Sequence, residues 1–108
     1  MSQILDANDV DLRTLIHSYT YVFAKFVDES CDTCKKLAPF FEKLALSASY
    51  KDVLFLRIEA SENPVSSKEV KLSGTPFIAI YKKGMLQDCG LVSSEQDMLE
   101  KLLKLISL

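Results

Sequence analysis

Three short apolar runs, rich in β-branched and aromatic side chains, constrain this chain most: Tyr21 to Val27 (YVFAKFV), Val53 to Ile58 (VLFLRI) and Phe77 to Tyr81 (FIAIY). Nearly continuous apolar runs of this length predict strands covered on both faces. Between and after them the apolar period changes to three and four. Leu37, Phe40, Phe41, Leu44, Ala45 and Ala48 line one helical stripe, and Met98, Leu99, Leu102, Leu103 and Ile106 line another. Pro39 falls inside the first stripe and predicts a kink about one turn into it. Ser93-Ser94-Glu95 supplies an N-cap for the second. Asp9 to Ser18 reads as a shorter helix, with Val10 or Leu12 and Leu15-Ile16 facing inward. Pro64 to Val70 reads as another, with proline near its first turn. Lys82-Lys83-Gly84 signals a turn, after which Met85 to Gly90 returns as an antiparallel strand.

The order is weak strand, helix, strand, helix, strand, helix, strand, strand, helix. Alternation predicts an α/β fold of parallel strands joined by right-handed crossovers, with helices on both faces and a terminal hairpin. The chain has 108 residues and no repeat, low-complexity tract or linker, so one domain over 1–108 is expected.

Charge and targeting narrow the function. Thirteen basic against fifteen acidic side chains leave a net charge of −2, which argues against a non-specific nucleic-acid binder. The first twenty residues lack the basic start and apolar stretch of a signal peptide, and Pro76 to Tyr81 is too short to cross a bilayer. The expectation is therefore no membrane association and a cytoplasmic location, where thiols are kept reduced.

Cys31-Asp32-Thr33-Cys34 carries the chemistry, directly after one predicted strand and directly before a predicted helix. Helix N-termini present unpaired N–H groups and partial positive charge. A thiolate placed there is stabilised and more of it is nucleophilic at neutral pH. Two such cysteines can close into a disulfide ring and pass two electrons, the first attacking and the second resolving. Two other readings compete: inert cysteines packed into a helix start, and a structural zinc site. Zinc needs about four ligands, and only Cys89 and His17 remain as soft partners. His17 is assigned no catalytic role. Cys89 is expected to be a buried inert thiol, whereas exposure would suggest a regulatory or dimer-forming one. Pro76 opens the Phe77 strand, either as an ordinary trans proline or in a cis bond facing the cysteines.

These residues together resemble the thioredoxin family along essentially the whole chain. The resemblance rests on Cys31-x-x-Cys34 after Tyr21–Val27, then Lys35 and Ala38-Pro39. It continues in Asn63-Pro64, Gly74-Thr75-Pro76-Phe77 and Lys83-Gly84. It implies a thioredoxin fold with a central mixed sheet of four to five strands. It also implies Cys31 as nucleophile, Cys34 as resolving thiol and a cis Pro76 beside the pair. Backbone groups of Thr75 would bind a substrate peptide as an added strand. The surrounding contacts would come from Ser30, Asp32, Thr33 and Gly74. No cofactor or metal is implied. The partners would be disulfide-containing proteins and a thioredoxin-reductase-type electron donor, met by a monomer.

The chain also departs from the family. Ser30 stands where the family usually has Trp, and Asp32-Thr33 stand where it usually has Gly-Pro. Lys25 stands where it commonly has a buried carboxylate. Lys25 either snorkels to water from a sheet surface or lies below Cys34. In the second case it favours the thiolate and serves as a proton acceptor. Favouring the thiolate makes the pair more oxidising, while Asp32, helped by Asp28 and Glu29, opposes it. Glu59, which shares a strand face with Arg57, is a candidate partner for Lys25. The expected function is a protein-disulfide reductase serving electron transport and cell redox homeostasis. The alternatives are a peptide-binding module of slow turnover and a disulfide oxidase or isomerase.

Overall fold

The computed structural model describes residues 4–108. Five strands form one mixed sheet: β1 (Ile4–Ala7), β2 (Tyr21–Val27), β3 (Val53–Glu59), β4 (Phe77–Lys82) and β5 (Met85–Leu91), in the order β1-β3-β2-β4-β5. The helices are α1 (Asp9–Ser18), α2 (Asp32–Leu46), α3 (Pro64–Glu69) and α4 (Glu95–Ile106). β1, β3 and β2 run parallel, whereas β4 runs antiparallel to β2 and to β5. The sequence pattern predicted β4 parallel to β2, and the connection explains the difference. α3 has six residues and rises ~9 Å, far short of the ~23 Å that seven strand residues span. The chain therefore enters β4 at the edge where β3 left the sheet.

Strand alternation divides the core in two. Phe23, Phe55, Ile78 and Ile80 point to the face covered by α2 and α4, where Leu37, Phe41, Met98, Leu102 and Leu105 meet them. Val22, Ala24, Phe26, Leu56, Ile58 and Ala79 point to the opposite face, which Leu12 of α1 and Val70 close. Phe23, Phe41 and Phe55 form an aromatic triad, with ring centroids 5.5 to 5.9 Å apart. Each such ring, fully buried, contributes about 2–3 kcal/mol by removal from water. This packing fixes α2 against β2 and β3, and so fixes the helix whose start carries the cysteines.

The helix details refine the sequence expectations. α2 runs unbroken through Pro39, which sits on its exposed side. Ala48 does not extend the stripe, because Ser47 caps α2 and residues Ala48–Tyr50 form a 3-10 turn. In α1 Leu12 faces inward, while Val10 is 82% exposed. Ser94 is the N-cap of α4, its hydroxyl accepting from the Asp97 N–H. α3 opens on Pro64, and a side-chain clamp holds it to α1. Asp9 accepts from the N–H groups of Val65 and Ser66, while buried Asn63 accepts from the Asp9 N–H and donates to the Glu59 carbonyl.

Candidate active site

Cys31 occupies the N-cap of α2, at the end of a short loop leaving β2. Its sulfur accepts the Cys34 N–H at 3.0 Å, the role a serine or aspartate oxygen plays at an ordinary cap. Cys31 and Cys34 are joined in a disulfide, with Cα atoms 5.2 Å apart. Cys31 is half-buried and Cys34 is buried at 5% exposure. The loop before them is ordered by Asp28. Its carboxylate accepts from the backbone N–H and the hydroxyl of Ser30, which hold its pKa below the ordinary carboxylate value. Its carbonyl accepts from the Cys31 N–H. Ser30 and Asp32 are exposed and Thr33 is half-buried.

Gly74-Thr75-Pro76 lies at the same sheet edge. Phe77 pairs with Phe26 near the end of β2, and the Thr75–Pro76 peptide is cis. The Pro76 carbonyl accepts from the Val92 N–H at 3.0 Å, so the bottom of β5 braces this segment. Gly74 and Thr75 are half-buried and Pro76 is buried.

Lys25 is buried, at 2% exposure. β2 is central, so both of its faces are covered, and the lysine stem does not reach open water. Its Nζ lies 4.2 Å from the centroid of the Phe41 ring. The side chain lines a cleft of about 190 Å³ with Ile4, Asp6, Ala38, Phe41, Glu42 and Arg57. Ala38 is one turn along α2 from Cys34. Burial chiefly, with nearby Arg57 adding to it and Glu42 opposing both, takes the Lys25 pKa from 10.5 to about 8. Glu59 is not its partner. Register sets Lys25 opposite Arg57 and Val27 opposite Glu59, and the Arg57 guanidinium bonds Asp6 at 2.7 Å. Glu42 and Asp6 were missed by sequence reasoning. Glu42 lies on α2, beyond the loop that leaves β2, and the packing of the adjacent Phe41 on Phe23 sets that helix over the strand carrying Lys25.

The remaining candidates lie elsewhere. Cys89 is half-buried rather than buried, because β5 is an edge strand, and its thiol donates to the Val70 carbonyl at 3.6 Å. His17, on α1, packs against Gly84 of the β4–β5 turn. Among the described residues no cluster of three or more His, Cys, Asp or Glu side chains is placed to hold a metal ion. No described helix is long and apolar enough to cross a membrane.

A disulfide that closes on a helix cap at the exposed rim of a five-stranded mixed sheet makes this a thiol–disulfide oxidoreductase. The chain belongs to the thioredoxin family, whose model matches residues 4–105. It is 30% identical over 81 residues to a thioredoxin-like protein of Fusarium culmorum, covering 74% of this chain and 66% of that one. It is 32% identical over 82 residues to a thioredoxin of Chlamydia muridarum, covering 76% of this chain and 78% of that one. Its fold superposes with a TM-score of 0.86 on a thioredoxin f2 solved in complex with ferredoxin:thioredoxin reductase. That match has 18% identity and covers 94% of both chains.

Proposed function

We propose that this protein reduces disulfides in other proteins by cycling the Cys31/Cys34 pair between dithiol and disulfide. The observation that carries this reading is the bonded pair at the N-cap of α2, with the Cys34 N–H directed at the Cys31 sulfur. Once the pair is reduced, that N–H and the helix terminus favour a thiolate on Cys31. Cys31 is the more accessible sulfur, so it attacks the substrate. A Cys31–substrate disulfide forms and one substrate thiolate leaves, taking a proton. Cys34 then loses its proton and attacks the Cys31 sulfur, and the second substrate thiolate leaves. Two electrons pass from the pair to the substrate, and the pair ends as a disulfide.

The rim residues supply binding. Thr75 offers its backbone to an extended substrate segment, while Ser30, Asp32, Thr33, Gly74 and Pro76 frame the sulfur. Lys25 tunes proton exchange with Cys34. Its support is burial in a cleft shared with Ala38, one turn from that residue. The two core clusters share one sheet, which supports a single domain over residues 1–108, and it acts as a monomer. The reduced pair needs a thioredoxin-reductase-type donor; the relative crystallised with such a reductase supports that class of partner. A reductant of this kind suits the cytoplasm, where it would serve electron transport and cell redox homeostasis.

A second reading, net oxidation or isomerisation, draws on the buried Lys25 cation, which stabilises the reduced thiolate form. A slow-turnover peptide-binding module draws on Ser30, whose hydroxyl is tied to Asp28 and presents no apolar surface. Dithiothreitol-driven reduction of insulin discriminates. Wild type should accelerate insulin precipitation, and Cys31→Ser should run at the uncatalysed rate. Equal rates for the two would refute turnover. Equilibration in glutathione buffers then separates reductant from oxidant by the potential of the pair.

A further inference from the structure

The cleft around Lys25 holds an arrangement of charge that the cysteine chemistry alone does not require. Four ionisable side chains from four elements line it: Asp6 of β1, Lys25 of β2, Glu42 of α2 and Arg57 of β3. They differ sharply in exposure. Lys25 is 2% exposed, whereas Glu42 and Arg57 are both exposed. The inner amine therefore meets solvent through a rim that carries the other charges.

The rim charges are not equivalent. Arg57 lies directly across the β2–β3 ladder from Lys25, a like-charged cross-strand neighbour. Its guanidinium is held at the rim by Asp6 at 2.7 Å, a solvent-open pair that fixes the position of the cation while its charge still acts on the amine. Glu42 forms no ion pair within 4 Å among the described residues and is the carboxylate left facing the amine. Lys25 itself has an aromatic ring, Phe41, as its close cation-binding contact. Phe41 and Glu42 are adjacent on α2, so the residue that contacts the ammonium and the residue that answers its charge move as one unit.

We propose that Glu42 and Arg57 are opposed positioning residues: Glu42 holds Lys25 protonated, Arg57 drives its proton off, and their balance sets the proton supply behind the redox pair. This rests on the proposed role of Lys25 in proton exchange with Cys34. Neither rim residue touches a reacting atom, and each acts through the charge of Lys25. The proton balance is simple. When Cys34 attacks, its thiol proton passes to a neutral Lys25 amine, giving an ammonium that later releases the proton to water through the cleft. The proportion of amine ready to accept is what the rim controls. Arg57 also keeps Asp6 occupied, so removing the guanidinium frees a second carboxylate, and both changes favour the protonated lysine.

The test reads Lys25 directly. In protein carrying ¹³C at lysine Cε, the resonance that disappears in Lys25→Met identifies the residue, and its shift is followed against pH. The pH profile of insulin reduction is measured alongside. Glu42→Gln should weaken the proton affinity of Lys25 by at least about threefold, and Arg57→Met should strengthen it by a similar factor. Both sites are exposed, so the fold should tolerate both changes. The kinetic profile should shift in the same direction as the resonance. Lys25 midpoints that stay put in both variants, or move the same way, overturn the proposal. Midpoints that move oppositely while the kinetic profiles stay superimposed uphold control by the rim and overturn the role of Lys25 in the redox step.

Discussion

Replacing Lys25 by methionine should stabilise this protein at neutral pH, although it removes a buried contact. The stem of methionine fills much of the same volume, so little cavity is left. What disappears is the cost of holding an ammonium out of water. Burial, with Arg57 adding to it and Glu42 opposing it, takes the Lys25 pKa from 10.5 to about 8. At ~1.4 kcal/mol per tenfold change in proton affinity, that difference is worth about 3 kcal/mol. Loss of the contact with the Phe41 ring returns about 1 kcal/mol, leaving a net gain of about 2 kcal/mol at pH 7. The pH dependence has a definite sign. Between about pH 8 and 10.5 the unfolded chain still holds the lysine proton and the folded chain has released it, so wild-type stability rises with pH across that window. The variant lacks this rise, and its advantage should vanish above pH 10. Urea unfolding of both oxidised proteins at pH 7 and pH 10.5 measures it, and other titrating groups cancel in the difference. A variant less stable than wild type at pH 7, or a difference that is the same at both pH values, would refute the reasoning.

Three further outcomes follow from the same structure. Cys34→Ser should accumulate a mixed disulfide between Cys31 and its substrate, visible as a reducible adduct on a non-reducing gel, because the resolving thiol is gone. Asn63→Ala should cost about 2–3 kcal/mol in urea unfolding, since it strands the Asp9 N–H and the Glu59 carbonyl next to a buried site. Asp88 is held below the ordinary carboxylate pKa, chiefly by its hydrogen bond from Lys101, with burial opposing and Lys104 assisting. Its stabilising effect is present above the ordinary carboxylate range and is lost as pH falls through the depressed value. Asp88→Asn should therefore flatten the acid limb of a thermal-denaturation series, and an unchanged limb would count against the pairing.

The strands were legible because their signal is local. VLFLRI and FIAIY are dense in β-branched and aromatic residues whichever way the neighbouring strand runs. Direction was not legible, because an apolar run looks the same parallel or antiparallel, and only the brevity of α3 reverses β4. Ala48 misled because alanine fits a helical stripe and a 3-10 turn equally well. The cysteine pair declared itself by position between a strand and a helix, and Gly74-Thr75-Pro76 gained meaning only through family resemblance. Lys25 was ambiguous because its apolar neighbours are compatible with an edge strand or a central one. The sheet order, with β2 between β3 and β4, decides for burial. Glu59 was a reasonable partner on strand periodicity, but register puts Arg57 there instead, and the carboxylate that does answer Lys25 comes from α2, a helix that periodicity predicted without showing which strand residue its Glu42 would face.

The reversed polarity of β4 has a consequence for the chemistry. Had that strand followed its neighbours, the proline turn would have emerged some two nanometres away, on the far side of the molecule from the sulfurs. One backward strand gathers the reactive bond and the proline turn on a single lip, so a chain docked there as proposed would be gripped and cut loose from its crosslink without being handed from one place to another.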